Sequence, residues 1–196
     1  MEPPTSTDPT VLPSGLPVPD DDGAADALPG RRLPPLRLPS TAGGEVDLAE
    51  AACSPGTLVL FAFPHAGRPG QSLPPGWDAI PGARGCTPQS CAFRDAHGAL
   101  TALGARVLGL SAQRLDDLRE VAGRLGLPYP LLSDPKLALA GALGMPELTV
   151  GGARMYARLT MVARAGAIVK AFYPVFPPDR NAGEVIAWLE GAHSGR

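Results

Sequence analysis

Two cysteines, Cys86 and Cys91, stand in the stretch Ile80-Pro81-Gly82-Ala83-Arg84-Gly85-Cys86-Thr87-Pro88-Gln89-Ser90-Cys91-Ala92-Phe93-Arg94-Asp95. The stretch lies between an apolar run and a helical pattern. Cys86 therefore falls at a helix N-terminus, where unpaired amides and the helix dipole favour a thiolate over a thiol. A thiolate so placed is a nucleophile. Arg84 and Arg94 are close enough in sequence to add positive potential. Cys91 follows five residues later, about one and a half turns along the same helix. In an intact helix its sulfur points elsewhere. A disulfide needs Cα atoms within about 7 Å, so bridging the two would require the first turn to unwind.

Several elements must position this stretch. Thr57-Leu58-Val59-Leu60-Phe61-Ala62-Phe63 is a continuous apolar run between Gly56 and Pro64 and reads as a buried central strand. From Pro88 to Leu103, Phe93, Ala96, Leu100 and Leu103 recur at helical spacing, with Thr87 as N-cap and Gly104 as the stop. Before these, Leu36-Arg37-Leu38 and Glu45-Val46-Asp47-Leu48 alternate around Gly43-Gly44 as a hairpin. After them come a strand over Arg106 to Ser111, a helix over Leu115 to Leu125, a strand over Tyr129 to Leu132 and a helix over Lys136 to Leu143. Two strands, Ala157 to Ala163 and Ala167 to Tyr173, turn at Ala165-Gly166. Asp179 or Asn181 caps a last helix carrying Val185, Ile186, Trp188 and Leu189. Alternating βα units closed by a hairpin and a helix imply an α/β fold, a mixed central sheet flanked by helices with an N-terminal β-hairpin. That order is compatible with a thioredoxin-like fold.

The 196 residues suit one domain plus an appendage. Residues 1–28, rich in Pro, Asp, Gly and Ser, read as a flexible tail, with an extended strap across the domain as the alternative. Residues 29–196 form the domain, with an insertion at about 65–80. A net charge of −2 without a basic block points to neither nucleic acid nor an anionic membrane surface. No apolar run is long enough for a membrane span, and the N-terminus lacks a secretory pattern, so a cytoplasmic location is expected. Three cysteines do not suggest a disulfide scaffold. Cys53 reads as packed or exposed without a redox role, and His65, His97 and His193 as structural or solvated. Without clustered histidines the cysteines do not make a zinc site.

Gly85-Cys86-Thr87-Pro88-Gln89-Ser90-Cys91, followed by Phe93-Arg94-Asp95, resembles the active-site signature of the PrxQ branch of peroxiredoxins, the bacterioferritin comigratory proteins. Val107 to Ser111 resembles the family strand after that helix, and Pro130-Leu131-Leu132-Ser133-Asp134 its following turn. Arg158-Leu159-Thr160 stands where the family places its active-site arginine, on a strand entering the final hairpin. The similarity runs from about Leu33 to Leu189. It implies a thioredoxin fold and a thiol peroxidase acting on hydrogen peroxide and small organic hydroperoxides. Cys86 would be the peroxidatic nucleophile, oxidised to sulfenic acid, and Arg158 would hold the thiolate and polarise the peroxide. Cys91 would resolve the sulfenic acid as an intramolecular disulfide, recycled by a thioredoxin-type reductant. The thiols carry the electrons, so no metal or organic cofactor is expected. Such proteins are often monomers.

This sequence departs from the family pattern in two ways. Family members carry a Thr three residues before the nucleophile; here that position is Ala83, and Thr87 is the candidate replacement. The family Pro corresponds to Pro64, and the segment Gly67 to Asp78 separates it from Cys86. That insertion, with Trp77, is expected to cover or shape the peroxide pocket. The alternatives are a one-cysteine peroxidase and a redox-sensor or binding protein on the same fold. A general disulfide oxidoreductase would normally carry Cys-x-x-Cys, and a holdase would form large oligomers.

Overall fold

The structure, a computed structural model, describes residues 12–194. Its centre is a five-stranded mixed sheet. The strands are β3 (Thr57–Ala62), β4 (Ala105–Ser111), β5 (Leu131–Ser133), β8 (Leu159–Arg164) and β9 (Ala167–Phe172), in the order β5-β4-β3-β8-β9. β3 runs parallel to β4 and antiparallel to β8, with Phe61 opposite both Gly109 and Thr160. Two small hairpins flank the sheet: β1 (Arg37–Pro39) with β2 (Glu45–Asp47), and β6 (Glu147–Val150) with β7 (Ala153–Tyr156).

The alternation of β3 divides the core into two layers. Leu58, Leu60 and Ala62 face one layer, which includes α1 (Leu48–Cys53) and α5 (Ala138–Leu143). Val59, Phe61 and Phe63 face the other. There α2 (Cys86–Asp95), α4 (Leu115–Leu125) and α6 (Asn181–Ser194) pack. Phe61 stacks on Phe93 of α2 with ring centroids 4.4 Å apart. A Cβ at Gly109 would collide with Leu131 and stand 3.0 Å from Phe61 Cζ, so glycine is what lets that ring lie flat on the sheet. These contacts seat the cysteine helix against the central strand.

Several expectations are corrected. The helix foreseen from Pro88 to Leu103 begins at Cys86 and is interrupted at Ala96; α3 (His97–Ala102) continues it. Its N-cap is Gly85, at φ 106°, and not Thr87, which is a helical residue. Asn181 does not cap α6; it is the first residue of that helix, and its side chain bonds inward. Arg158 lies in a bend just before β8 and not on the strand. The β6–β7 hairpin, turning through Gly151-Gly152 with both φ positive, was not expected from periodicity. Of the segment set apart as a tail, Ala25 and Leu28 belong to the core, and Leu12 meets the domain at Gly85; residues 1–11 lie outside the described residues. The side chain of His193 also lies outside them.

Candidate active site

Cys86 is the first residue of α2 and is buried. The first intrahelical bond is Gln89 N–H to Gly85 O at 3.0 Å. The amides of Cys86 and Thr87 therefore have no intrahelical acceptor, and Pro88 has no N–H to offer. Two amides thus mark the helix start beside the sulfur. The Cys86 thiol sits 3.7 Å from Ala83 O, its hydrogen-bond acceptor in the protonated form.

Arg158, 72 residues away in sequence, reaches the same point. Its Nη2 donates to Cys86 Sγ at 3.3 Å and to the carbonyls of Ala83 at 3.1 Å and Arg84 at 3.0 Å. Its Nη1 donates to Gln89 Oε1 at 2.6 Å. The guanidinium is 3% exposed and forms no ion pair with a carboxylate among the described residues. A buried cation without a partner charge is costly. The Cys86 sulfur is in direct contact with it.

The cysteine opens on a cleft of about 470 Å³ lined by His65, Arg68, Leu73, Trp77, Arg84 and Thr87, among others. The segment Gly67 to Asp78 thus forms one wall of the site. Trp77 is held there by a small apolar cluster with Ala83, Val150 and Met155, so the β6–β7 hairpin buttresses the wall. His65 meets Trp77 edge-on at 5.9 Å, and burial pushes its pKa below the usual value, with Asp117 opposing the shift. Arg84 pairs with Asp78 at 3.1 Å, and Arg68 with Asp117 at 2.9 Å. Thr87 is brought to the cleft beside Cys86.

Cys91 is not brought to Cys86. Both thiols are free, and both belong to α2. Five residues at the helical rise separate their Cα atoms by about 7.5 Å along the axis, too far for a disulfide. Cys91 is half-buried against the core layer that holds Phe93 and Leu100, and burial pushes its thiol pKa up; Arg94 partly opposes this. Arg94 therefore serves Cys91, and pairs with Asp95 at 2.8 Å. Cys53 is exposed, with Arg32 Nη2 3.7 Å from its sulfur, and lines a cleft with Gly104, Arg164 and Ala192 that does not include Cys86.

Three residues beyond those expected from the sequence complete the site. Gln89 links Arg158 to Asn181, and Asn181 links onward to Thr160. A signal for Gln89 exists in the sequence: it stands three residues after Cys86 and four before Phe93, a polar residue on the buried face. No local pattern marks Asn181 or Thr160. Among the described residues, no group of three or more His, Cys, Asp or Glu could hold a metal ion, and no helix is long and apolar enough to cross a membrane.

The Redoxin family model matches residues 28–186. The peroxiredoxin bcp1 of Schizosaccharomyces pombe is 31% identical over 153 residues, covering 75% of this chain and 69% of that protein. A putative peroxiredoxin of Mycobacterium tuberculosis is 32% identical over 151 residues, covering 75% and 85%. Among solved structures, the peroxidoxin BcpB of Mycobacterium tuberculosis superposes with a TM-score of 0.67 at 25% identity, covering 83% of this chain and 96% of that one.

Proposed function

Because this chain belongs to the Redoxin family as a peroxiredoxin of the Q, or bacterioferritin comigratory, type and is a thiol peroxidase, we propose that Cys86 is its peroxidatic sulfur. The observation that carries this is the buried guanidinium of Arg158, without a carboxylate partner among the described residues, set 3.3 Å from Cys86 Sγ. The thiolate attacks one oxygen of the hydroperoxide. An S–O bond forms, the O–O bond breaks, and the leaving oxygen departs as water or an alcohol after taking a proton. Arg158 Nη2 and the amides of Cys86 and Thr87 donate to the charge passing from sulfur to oxygen. Thr87, which lines the cleft next to Cys86, is the candidate for the contact that the family's Thr makes from the position held here by Ala83.

The sulfenic acid is then resolved by Cys91. The Cys91 sulfur bonds to Cys86 Sγ, and the sulfenic oxygen leaves as water. The first turn of α2 must unwind for this to happen, and doing so releases Cys91 from the burial that keeps it protonated. A thioredoxin-type dithiol returns two electrons and two protons. Hydrogen peroxide and small organic hydroperoxides are the substrates, and the protein works as a monomer in a reducing, cytoplasmic setting.

The test is to treat reduced protein with one equivalent of hydrogen peroxide, block free thiols, digest without reductant and weigh the peptides. A linked Cys86–Cys91 peptide is expected. Cys86 as sulfenic or sulfinic acid with Cys91 free would leave a one-cysteine peroxidase; both thiols intact would overturn the assignment of Cys86.

A further inference from the structure

Asn181 is fully buried at the start of α6, 92 residues from Gln89, yet its side chain does nothing for its own helix. The direction of each amide around it follows from donor and acceptor chemistry. Arginine only donates, so the atom of Gln89 lying 2.6 Å from Arg158 Nη1 is an oxygen. The Gln89 NH₂ group then faces Asn181 at 3.1 Å, and the atom receiving it must be Oδ1. The same Oδ1 accepts from the Thr160 hydroxyl at 2.6 Å. Asn181 Nδ2 is left buried without a partner among the described residues. An orphaned buried donor costs free energy. The orphan follows once Oδ1 is committed to Gln89 and Thr160.

The anchors at the two ends of this chain are rigid. Thr160 belongs to the central sheet opposite Phe61, and α6 is seated by Ala182, Val185 and Leu189 in the core layer that also holds Cys86. At the near end, Gln89 is the side chain that accepts from Nη1 of Arg158. We infer that Asn181 is a positioning residue of the peroxidatic centre: by offering only Oδ1, it keeps Gln89 Oε1 on Arg158 and so holds Arg158 on Cys86. Without Asn181 Oδ1, the Gln89 amide is free to turn its NH₂ towards the guanidinium, and Arg158 loses its lateral hold. This inference rests on reading Cys86 and Arg158 as the reacting pair.

The test uses a Cys53→Ser/Cys91→Ser parent, so that Cys86 is the one thiol left. Two rates are followed at neutral pH: loss of the Cys86 thiol to hydrogen peroxide, and its alkylation by iodoacetamide. Asn181→Leu, close in shape but without an acceptor, is expected to slow both rates about tenfold. Gln89→Leu should do the same, and the double variant should be no slower than either single one, because Asn181 acts through Gln89. Asn181→Asp keeps acceptors for both Gln89 and Thr160 and should stay within about threefold of the parent. A purely structural role predicts the reverse order, since leucine suits a buried site better than a carboxylate does. The inference is overturned if Asn181→Leu stays within about twofold of the parent, if its loss adds to that of Gln89→Leu, or if folded Asn181→Asp is as slow as Asn181→Leu. If Asn181→Asp does not fold, the leucine cycle decides alone. A parent whose Cys86 survives peroxide would overturn the peroxidase assignment of Cys86, while the alkylation series would still decide the role of Asn181.

Discussion

The Arg158 nitrogen that faces Cys86 Sγ at 3.3 Å is the same one that donates to the carbonyls of Ala83 and Arg84, so one side chain holds both the sulfur and the turn that delivers it. Arg158→Lys keeps the charge but cannot span these acceptors and Gln89 together. The second-order rate with hydrogen peroxide is expected to fall about 10- to 100-fold, the loss of charge-assisted hydrogen bonds. Stopped-flow measurement of Cys86 oxidation checks it; a rate equal to that of the unaltered protein would remove Arg158 from the chemistry.

Cys91 should be a poor nucleophile until α2 opens. Burial raises its pKa above the ordinary 9.0. In a Cys53→Ser/Cys86→Ser protein, alkylation should be slow at neutral pH and climb only in the alkaline range. The sign for stability follows: a thiol held protonated by folding makes the native state less stable as pH rises past the unfolded value. Mild denaturant, which favours local opening, should speed alkylation at neutral pH before global unfolding is visible by circular dichroism.

The fold was legible because it depends on local periodicity. The β3 run and the Phe93–Leu100 stripe are patterns any buried strand or helix must show. The contact between Cys86 and Arg158 was legible through the helix-start position of Cys86 and the family position of Arg158. The Cys86–Arg158–Gln89–Asn181–Thr160 chain was not. Its bonds join residues up to 92 apart in sequence, and a hydrogen bond across that distance leaves no periodic trace. The β6–β7 hairpin did have a signature, Gly151-Gly152 between alternating residues. Its purpose, bracing Trp77, depends on a tertiary contact with the segment Gly67 to Asp78.

Trp77→Ala should affect both stability and selectivity. The indole is 3% exposed in a cluster with Ala83, Val150 and Met155, and its loss should cost about 3–5 kcal/mol in chemical denaturation. The cleft wall would recede, so the ratio of rates for cumene hydroperoxide and hydrogen peroxide should rise. An unchanged ratio and unchanged rates would mean that the inserted segment does not shape the peroxide pocket.

His65 should weaken the fold in mild acid. Its pKa is lowered by burial, so the unfolded chain binds a proton more readily than the native one. Stability therefore increases with pH across this range and is lost as pH falls below the unfolded value of 6.5. In urea titrations at pH 7.5 and pH 5.5, His65→Gln should lose less stability on acidification than the unaltered protein. Equal losses would assign the acid sensitivity to other groups.

Gly85 is wedged between segments from the two ends of the chain. A Cβ there would collide with Pro178, just before α6, and stand 2.9 Å from Leu12 Cδ2 of the amino-terminal segment. On the proposed resolution by Cys91, unwinding the first turn of α2 would disturb the seat that these outer segments have against the helix start. The oxidised form would then wear a different face from the reduced one, one that a reductant could tell by touch before it meets any sulfur.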